Sequence, residues 1–274
     1  AEVATMPLDV LKVRMQLQGQ PGFLAANPIT TAATMLREEG IFVFWRGTSP
    51  AILRQATYGT LRIGLYSRAK AYIGIEEGSA KADPLRKMSA GVISGSAAAA
   101  ICNPTDLIKV RMQSGIHRGQ NRYRGILHAV STIAKEEGLR AFYRGVGPTT
   151  SRAAVVAAAE LGSYDEMKAY FRRRGASDDI KLHFGTAALA GLCATSASSP
   201  FDVVKSRVMS QPVDAMGRGL RYKGMIDCFK KSLQAEGISF MWRGFTANYL
   251  NKGPTVVLFF ILYEAIQRNL DALL

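Results

Sequence analysis

Three short stretches place opposite charges inside what reads as a running helix: PLDVLKVR at Pro7–Arg14, PTDLIKVR at Pro104–Arg111 and PFDVVKSR at Pro200–Arg207. In each, an aspartate follows a proline by two residues and precedes a lysine by three: Asp9 and Lys12, Asp106 and Lys109, Asp202 and Lys205. The chemistry such residues offer is ion pairing. Within one helix, an aspartate and lysine three apart contribute only about 0.2–0.5 kcal/mol. Bond-making chemistry has no comparable constellation. The three histidines are scattered, Cys102, Cys193 and Cys228 lack a zinc or disulfide spacing, and there is no nucleophile motif or phosphate-binding glycine loop. The chain does not read as an enzyme, and no cofactor or metal is expected.

The charged stretch recurs 97 and then 96 residues further on, and two other signatures recur with it. EGIFVFWRG at Glu39–Gly47 returns as EGLRAFYRG at Glu137–Gly145 and EGISFMWRG at Glu236–Gly244. From Glu39 to Ser67, Glu137 to Asp165 and Glu236 to Glu264 the interval is 28 residues each time. A fixed period of this kind means one structural unit used three times. The units are placed at residues 1–78, 79–178 and 179–274, with the first read as starting inside its first helix.

The elements that must position these charges follow from the apolar distribution. Net charge is +14, which fits either a nucleic-acid footprint or a membrane protein with basic loops. Stretches such as Met88–Pro104, Val146–Tyr164, Phe184–Val204 and Thr246–Tyr263 approach the roughly 20 mostly apolar residues of a spanning helix. They are rich in Gly, Ala, Ser and Thr, which let helices pack closely in lipid. Their isolated charges require a bundle around a polar interior. The expectation is an all-α membrane protein of six transmembrane helices, two per repeat, with no nucleic-acid partner. Between the two spans of each repeat runs a short amphipathic helix ending at the Glu-Gly pair. In the second copy its apolar positions are Ile126, Leu127, Val130, Ile133 and Ala134. The stretches from each proline to each Arg-Gly pair hold 20 of the 35 Lys and Arg residues, a bias toward a positive interior on that side.

Three copies of Pro-x-Asp-x-x-Lys-x-Arg, each followed by Glu-Gly-x4-aromatic-Arg-Gly, resemble the mitochondrial carrier family over the whole chain. The resemblance implies a threefold pseudo-symmetric six-helix bundle in the inner membrane, with one central site closed alternately by two gates. Proline would kink each odd helix toward the axis. Asp9, Asp106 and Asp202 would then meet Lys109, Lys205 and Lys12 of neighbouring helices in a ring, the matrix gate. The family's opposite, cytoplasmic gate points to the third signature, LYSRAK at Leu65–Lys70, SYDEMK at Ser163–Lys168 and LYEAIQ at Leu262–Gln267. There Lys70–Asp165 and Lys168–Glu264 would be ionic and Gln267–Ser67 a weaker polar pair, so this gate is expected to open more easily. Arg46-Gly47, Arg144-Gly145 and Arg243-Gly244, with Gly125 and Gly224, resemble the family's cardiolipin sites.

Thirteen residues before Ser67, Asp165 and Glu264 stand Arg54, Arg152 and Asn251, about 20 Å along a helix and near the bilayer midplane. Arg62 and Glu160 lie eight residues further on, and Glu2 lies two turns before Asp9. Three arginines against two glutamates suit a small anion, whose carboxylates or phosphate take bidentate hydrogen bonds from guanidinium. RQATYGTLRIGLY and AELGSYDEMK are similar to the uncoupling-protein branch and the dicarboxylate and oxoglutarate carriers. That branch implies anion exchange or regulated proton leak. Asn251 departs from it, standing where a third arginine is usual, which puts triple guanidinium binding and purine-nucleotide inhibition in doubt. The reading is an inner-membrane carrier of a small di- or monocarboxylate or inorganic anion. The alternatives are a proton-leak protein, or a carrier-fold structural subunit associated with a larger inner-membrane complex.

Overall fold

The computed structural model describes residues 2–20, 27–74, 84–114, 123–173, 180–214, 218–249 and 251. The described elements are helical apart from one isolated β-bridge between Val213 and Gly219. They run α1 (Glu2–Gln16), α2 (Pro28–Glu39), α3 (Thr48–Ile73), α4 (Pro84–Ile101), α5 (Asn103–Ser114), α6 (Ile126–Glu137), α7 (Val146–Arg173), α8 (Ile180–Ser210) and α9 (Met225–Glu236).

The proline motif sits on α1, α5 and α8 but does not act alike in the three copies. Helices α1 and α8 run through Pro7 and Pro200 without interruption. The second copy breaks at Cys102, where α4 stops and α5 starts. Proline cannot donate to the helical ladder and crowds the preceding turn, so one copy takes the full break. The lower halves of α1, α5 and α8 contact one another pairwise and form a triangle.

The amphipathic helices α2, α6 and α9 all end at the Glu of a Glu-Gly pair, and each continues into a short 3-10 turn. Each repeat builds a similar small core beneath its proline-motif helix. Met6, Val10, Met35 and Val43 form the first; Leu107, Ile108, Ala129, Ile133 and Phe142 belong to the second; Val203, Val204, Cys228 and Phe240 form the third. The buried face is narrower than the apolar stripe. Ile133 is fully buried, but Leu127 is 86% exposed and Val130 is exposed too. Leu127 has threefold mates in Ile29 and Ile226, also exposed, so this outward apolar edge belongs to the repeat pattern.

Among the described residues no helix is long and apolar enough to cross a membrane. The expectation of six apolar spans meets helices that carry their own charges and small polar residues. Helix α3 contains Arg54, Arg62, Arg68 and Lys70, and the α4–α5 pair is broken midway.

Candidate gate and anion site

The three aspartates and three lysines converge where α1, α5 and α8 meet. Lys109 Nζ lies 2.7 Å from Asp9 Oδ2, Lys205 Nζ 2.6 Å from Asp106 Oδ2, and Lys12 Nζ 3.2 Å from Asp202 Oδ2. Each contact joins two repeats. Each of these three aspartates takes its lysine from a neighbouring repeat and not from its own helix.

The second oxygen of each carboxylate is also taken, and this arrangement lay outside the sequence reading. Arg54 ion-pairs with Asp106 Oδ1, Arg152 with Asp202 Oδ1, and Asn251 donates from Nδ2 to Asp9 Oδ1. Asn248 adds a hydrogen bond of 3.2 Å to Asp202 Oδ2. Of the candidate anion-binding residues, Arg54, Arg152 and Asn251 therefore sit in the ring itself in this conformation. Residue counting gives depth along α3 and α7, but an arginine side chain is long enough to cross to the neighbouring helix. Arg54 also stacks over the Tyr58 ring at 5.0 Å. Two cations thus share each of Asp106 and Asp202, held together against their mutual repulsion by the carboxylate between them, and one cation serves Asp9.

A second layer lies just below, built from Arg14, Arg111 and Arg207, to which the sequence assigned no role, together with the arginines of the expected cardiolipin sites. Arg14 Nε donates to the Gln113 carbonyl at 2.9 Å, Arg111 Nε to the Met209 carbonyl at 3.0 Å, and Arg207 Nε to the Gln16 carbonyl at 3.2 Å. Each arginine thus caps the C-terminal end of the next repeat's proline-motif helix, where carbonyls lack helical partners and the dipole favours a cation. The same guanidiniums pair with the glutamates that end the amphipathic helices: Arg14–Glu39 at 2.7 Å, Arg207–Glu236 at 2.7 Å, and Arg111–Glu137. Those glutamates also hold the arginines of the Arg-Gly pairs, Arg46 at 2.6 Å, Arg144 at 2.8 Å and Arg243 at 2.9 Å. Burial alone would raise the Glu137 carboxyl, but Arg111 and Arg144 outweigh it and hold the group below the ordinary carboxylate range. The signal was present in the sequence: the last Arg of the proline motif and the Glu of Glu-Gly recur in all three copies.

Glycine closes the layer sterically. Gly47, Gly145 and Gly244 open α3, α7 and the helix after the third Arg-Gly pair, with φ of +85°, +84° and +76°. Gln113, Met209 and Gln16 of the adjoining repeats press against them. A side chain there would be strained by the left-handed backbone and would meet the neighbour.

The other expected residues are less gathered. Arg62 is exposed and Glu2 half-buried. Ser67 bonds back to the Gly64 carbonyl at 3.0 Å, and Lys70 lies over the Tyr66 ring at 4.8 Å. The side chains of Glu160, Asp165 and Lys168, and all of Glu264 and Gln267, lie outside the described residues. Gly125 and Gly224 sit at the N-caps of α6 and α9. Among the described residues no cluster of His, Cys, Asp and Glu is placed to hold a metal.

Comparison with known proteins matches the mitochondrial carrier protein family model three times, at residues 1–77, 80–175 and 178–272. The chain is 40% identical to the mitochondrial substrate carrier family protein ucpB of Dictyostelium discoideum, over 98% of this chain and 91% of that one. It is 38% identical to mitochondrial uncoupling protein 1 of Arabidopsis thaliana, covering 99% and 90%. A probable mitochondrial 2-oxoglutarate/malate carrier protein of Dictyostelium discoideum is 37% identical, covering 96% and 83%.

Proposed function

The chain belongs to the mitochondrial carrier family, and from that membership we propose that it moves a small anion across the mitochondrial inner membrane by alternating access. The observation that carries the reading is the sharing of the ring carboxylates. Asp106 and Asp202 each bind a gate lysine through one oxygen and a candidate substrate arginine through the other.

That sharing supplies a coupling. An entering anion offers Arg54 and Arg152 new oxygens, and guanidinium binds carboxylate or phosphate with short charge-assisted bonds. As the arginines turn to the anion, Asp106 and Asp202 each lose one of two cations. The anion therefore binds the opened ring better than the closed one, and a ligand shifts an equilibrium only through such differential affinity. Charges held inside a membrane are expensive, which keeps the empty site closed on its own carboxylates. Arg62, Glu160 and Glu2 tune the charge or carry a proton. Ser67, Lys70, Asp165, Lys168, Glu264 and Gln267 form the opposite gate, and the Arg-Gly pairs with Gly125 and Gly224 meet cardiolipin.

Six bundled spans are part of this reading, with the charged faces of the helices turned inward. The relatives' names support both of its branches: a 2-oxoglutarate/malate carrier points to dicarboxylates, and an uncoupling protein to proton leak. Liposomes holding full-length protein, tested for uptake of labelled malate, 2-oxoglutarate, phosphate, sulfate and aspartate, decide among them. Uptake of one or more of these anions, abolished by Arg152→Ala, is the expected result. Proton flux without any anion would select the leak branch, and no flux from folded protein would remove both.

A further inference from the structure

The three seams between repeats are not equivalent. Repeats 1 and 2 are joined in the ring by Lys109–Asp9 and by Arg54–Asp106. Repeats 2 and 3 are joined by Lys205–Asp106 and by Arg152–Asp202. Both seams therefore carry two ionic contacts. Repeats 3 and 1 have Lys12–Asp202 at 3.2 Å, longer than the other two lysine contacts, and the neutral Asn251–Asp9 hydrogen bond.

One layer down, the third seam also carries hydrogen bonds to uncharged acceptors. Arg207 of repeat 3 donates to the carbonyls of Gln16 and Gln18 in repeat 1, at 3.2 Å and 2.8 Å. Ser206 donates to the Gln16 side chain, and Arg221 Nη1 to Gln20 Oε1 at 3.0 Å. The Arg207 side chain is completely buried. In the corresponding layer among the described residues, repeats 1 and 2 share Arg14 to the Gln113 carbonyl and the Gln113–Met6 contact, and repeats 2 and 3 share Arg111 to the Met209 carbonyl. Met209 stands where the other two repeats have Gln16 and Gln113, removing a polar group from that seam.

We infer that the matrix gate opens asymmetrically, with repeat 2 moving against a pair formed by repeats 3 and 1. The inference rests on the reading of Arg54 and Arg152 as anion-binding groups. An anion that draws those two guanidiniums away weakens the two seams flanking repeat 2 and leaves the third untouched. Asn251 is uncharged and offers an anion only a neutral hydrogen bond, so its seam responds least. The threefold plan of the fold thereby yields a motion with one mobile third.

The test needs no knowledge of the anion, because Arg54→Ala with Arg152→Ala removes the arginine contact from both sensitive seams and leaves both ring contacts of the third in place. Residues 37, 135 and 234 are exposed and threefold-equivalent on α2, α6 and α9. Spin labels on Arg37→Cys, Lys135→Cys and Gln234→Cys, taken in pairs in full-length protein in liposomes, report the three seams as distances. In the double variant the 37–135 and 135–234 distances should lengthen by roughly 5 Å, about one helical turn, while 234–37 stays fixed. Equal lengthening of all three would overturn the asymmetry and leave the gate intact. No lengthening anywhere would remove both, since the arginines would then not be holding the ring. Where the double variant does not fold, Asn251→Arg replaces it: a third ionic contact should raise the melting temperature and shorten 234–37, and no change in either overturns the inference.

Discussion

Glu137→Gln tests the second layer most sharply. The Glu137 side chain is 1% exposed and receives Arg111 through both carboxylate oxygens, with Nη2 at 2.8 Å, and Arg144 at 2.8 Å. Removing its charge leaves two guanidiniums facing each other in a site with little water. Breaking one partner out of a buried pair costs about 3–5 kcal/mol. Glutamine keeps the shape and one acceptor oxygen, which places the expected loss near the low end, about 3 kcal/mol. At about 2–4 °C per kcal/mol for a chain of this size, melting falls by roughly 6–12 °C. The assay is thermal unfolding in detergent followed by the fluorescence of Trp45 and Trp242. A companion pair change, Arg111→Met with Glu137→Met, should recover much of the loss, because an apolar pair carries no stranded charge. The sign with pH follows from the lowered carboxyl. Its contribution is complete above the ordinary value of 4.5 and disappears as pH falls through the lower folded value. A shift below about 2 °C for Glu137→Gln, or a double variant no better than the single, would refute the reasoning.

Other expectations are quickly checked. Gly244→Ala should destabilise more than Gly74→Ala. Both positions have positive φ, +76° and +75°, costing about 1–2 kcal/mol. Only at Gly244 would the new Cβ also meet backbone, the Lys12 carbonyl at 3.2 Å. Asn103→Ala strands the carbonyls of Phe142 and Arg144, now bonded at 2.7 Å and 3.2 Å, and should cost about 1–3 kcal/mol in an unfolding titration. Burial pushes the Cys228 thiol up to about 11, so a thiolate-selective reagent at neutral pH should label it only after denaturation.

Much of this architecture is legible in the amino-acid sequence because threefold repetition multiplies weak signals. A single Asp–Lys pair says little, but three at equal spacing place α1, α5 and α8 around one centre. The Glu-Gly pairs likewise mark where α2, α6 and α9 end. Facing was harder to read than depth. Residue counting put Arg54 and Arg152 a fixed rise along their helices, yet their reach to Asp106 and Asp202 depends on the angle between neighbouring helices. Arg14, Arg111 and Arg207 were passed over because their partners include backbone carbonyls, which no residue type announces. Leu127 and Val130 followed helical periodicity and still stand exposed, since periodicity describes an apolar stripe and not what covers it.

The account's central claim is that anion binding and release of the ring are one event. Counter-exchange reads this directly, as efflux of a preloaded labelled anion from liposomes with and without unlabelled anion outside. Wild-type efflux should rise when external anion is added. With Lys12, Lys109 and Lys205 all changed to Gln, efflux should lose that dependence. Wild-type efflux indifferent to external anion, or a triple variant that behaves as wild type, would contradict it.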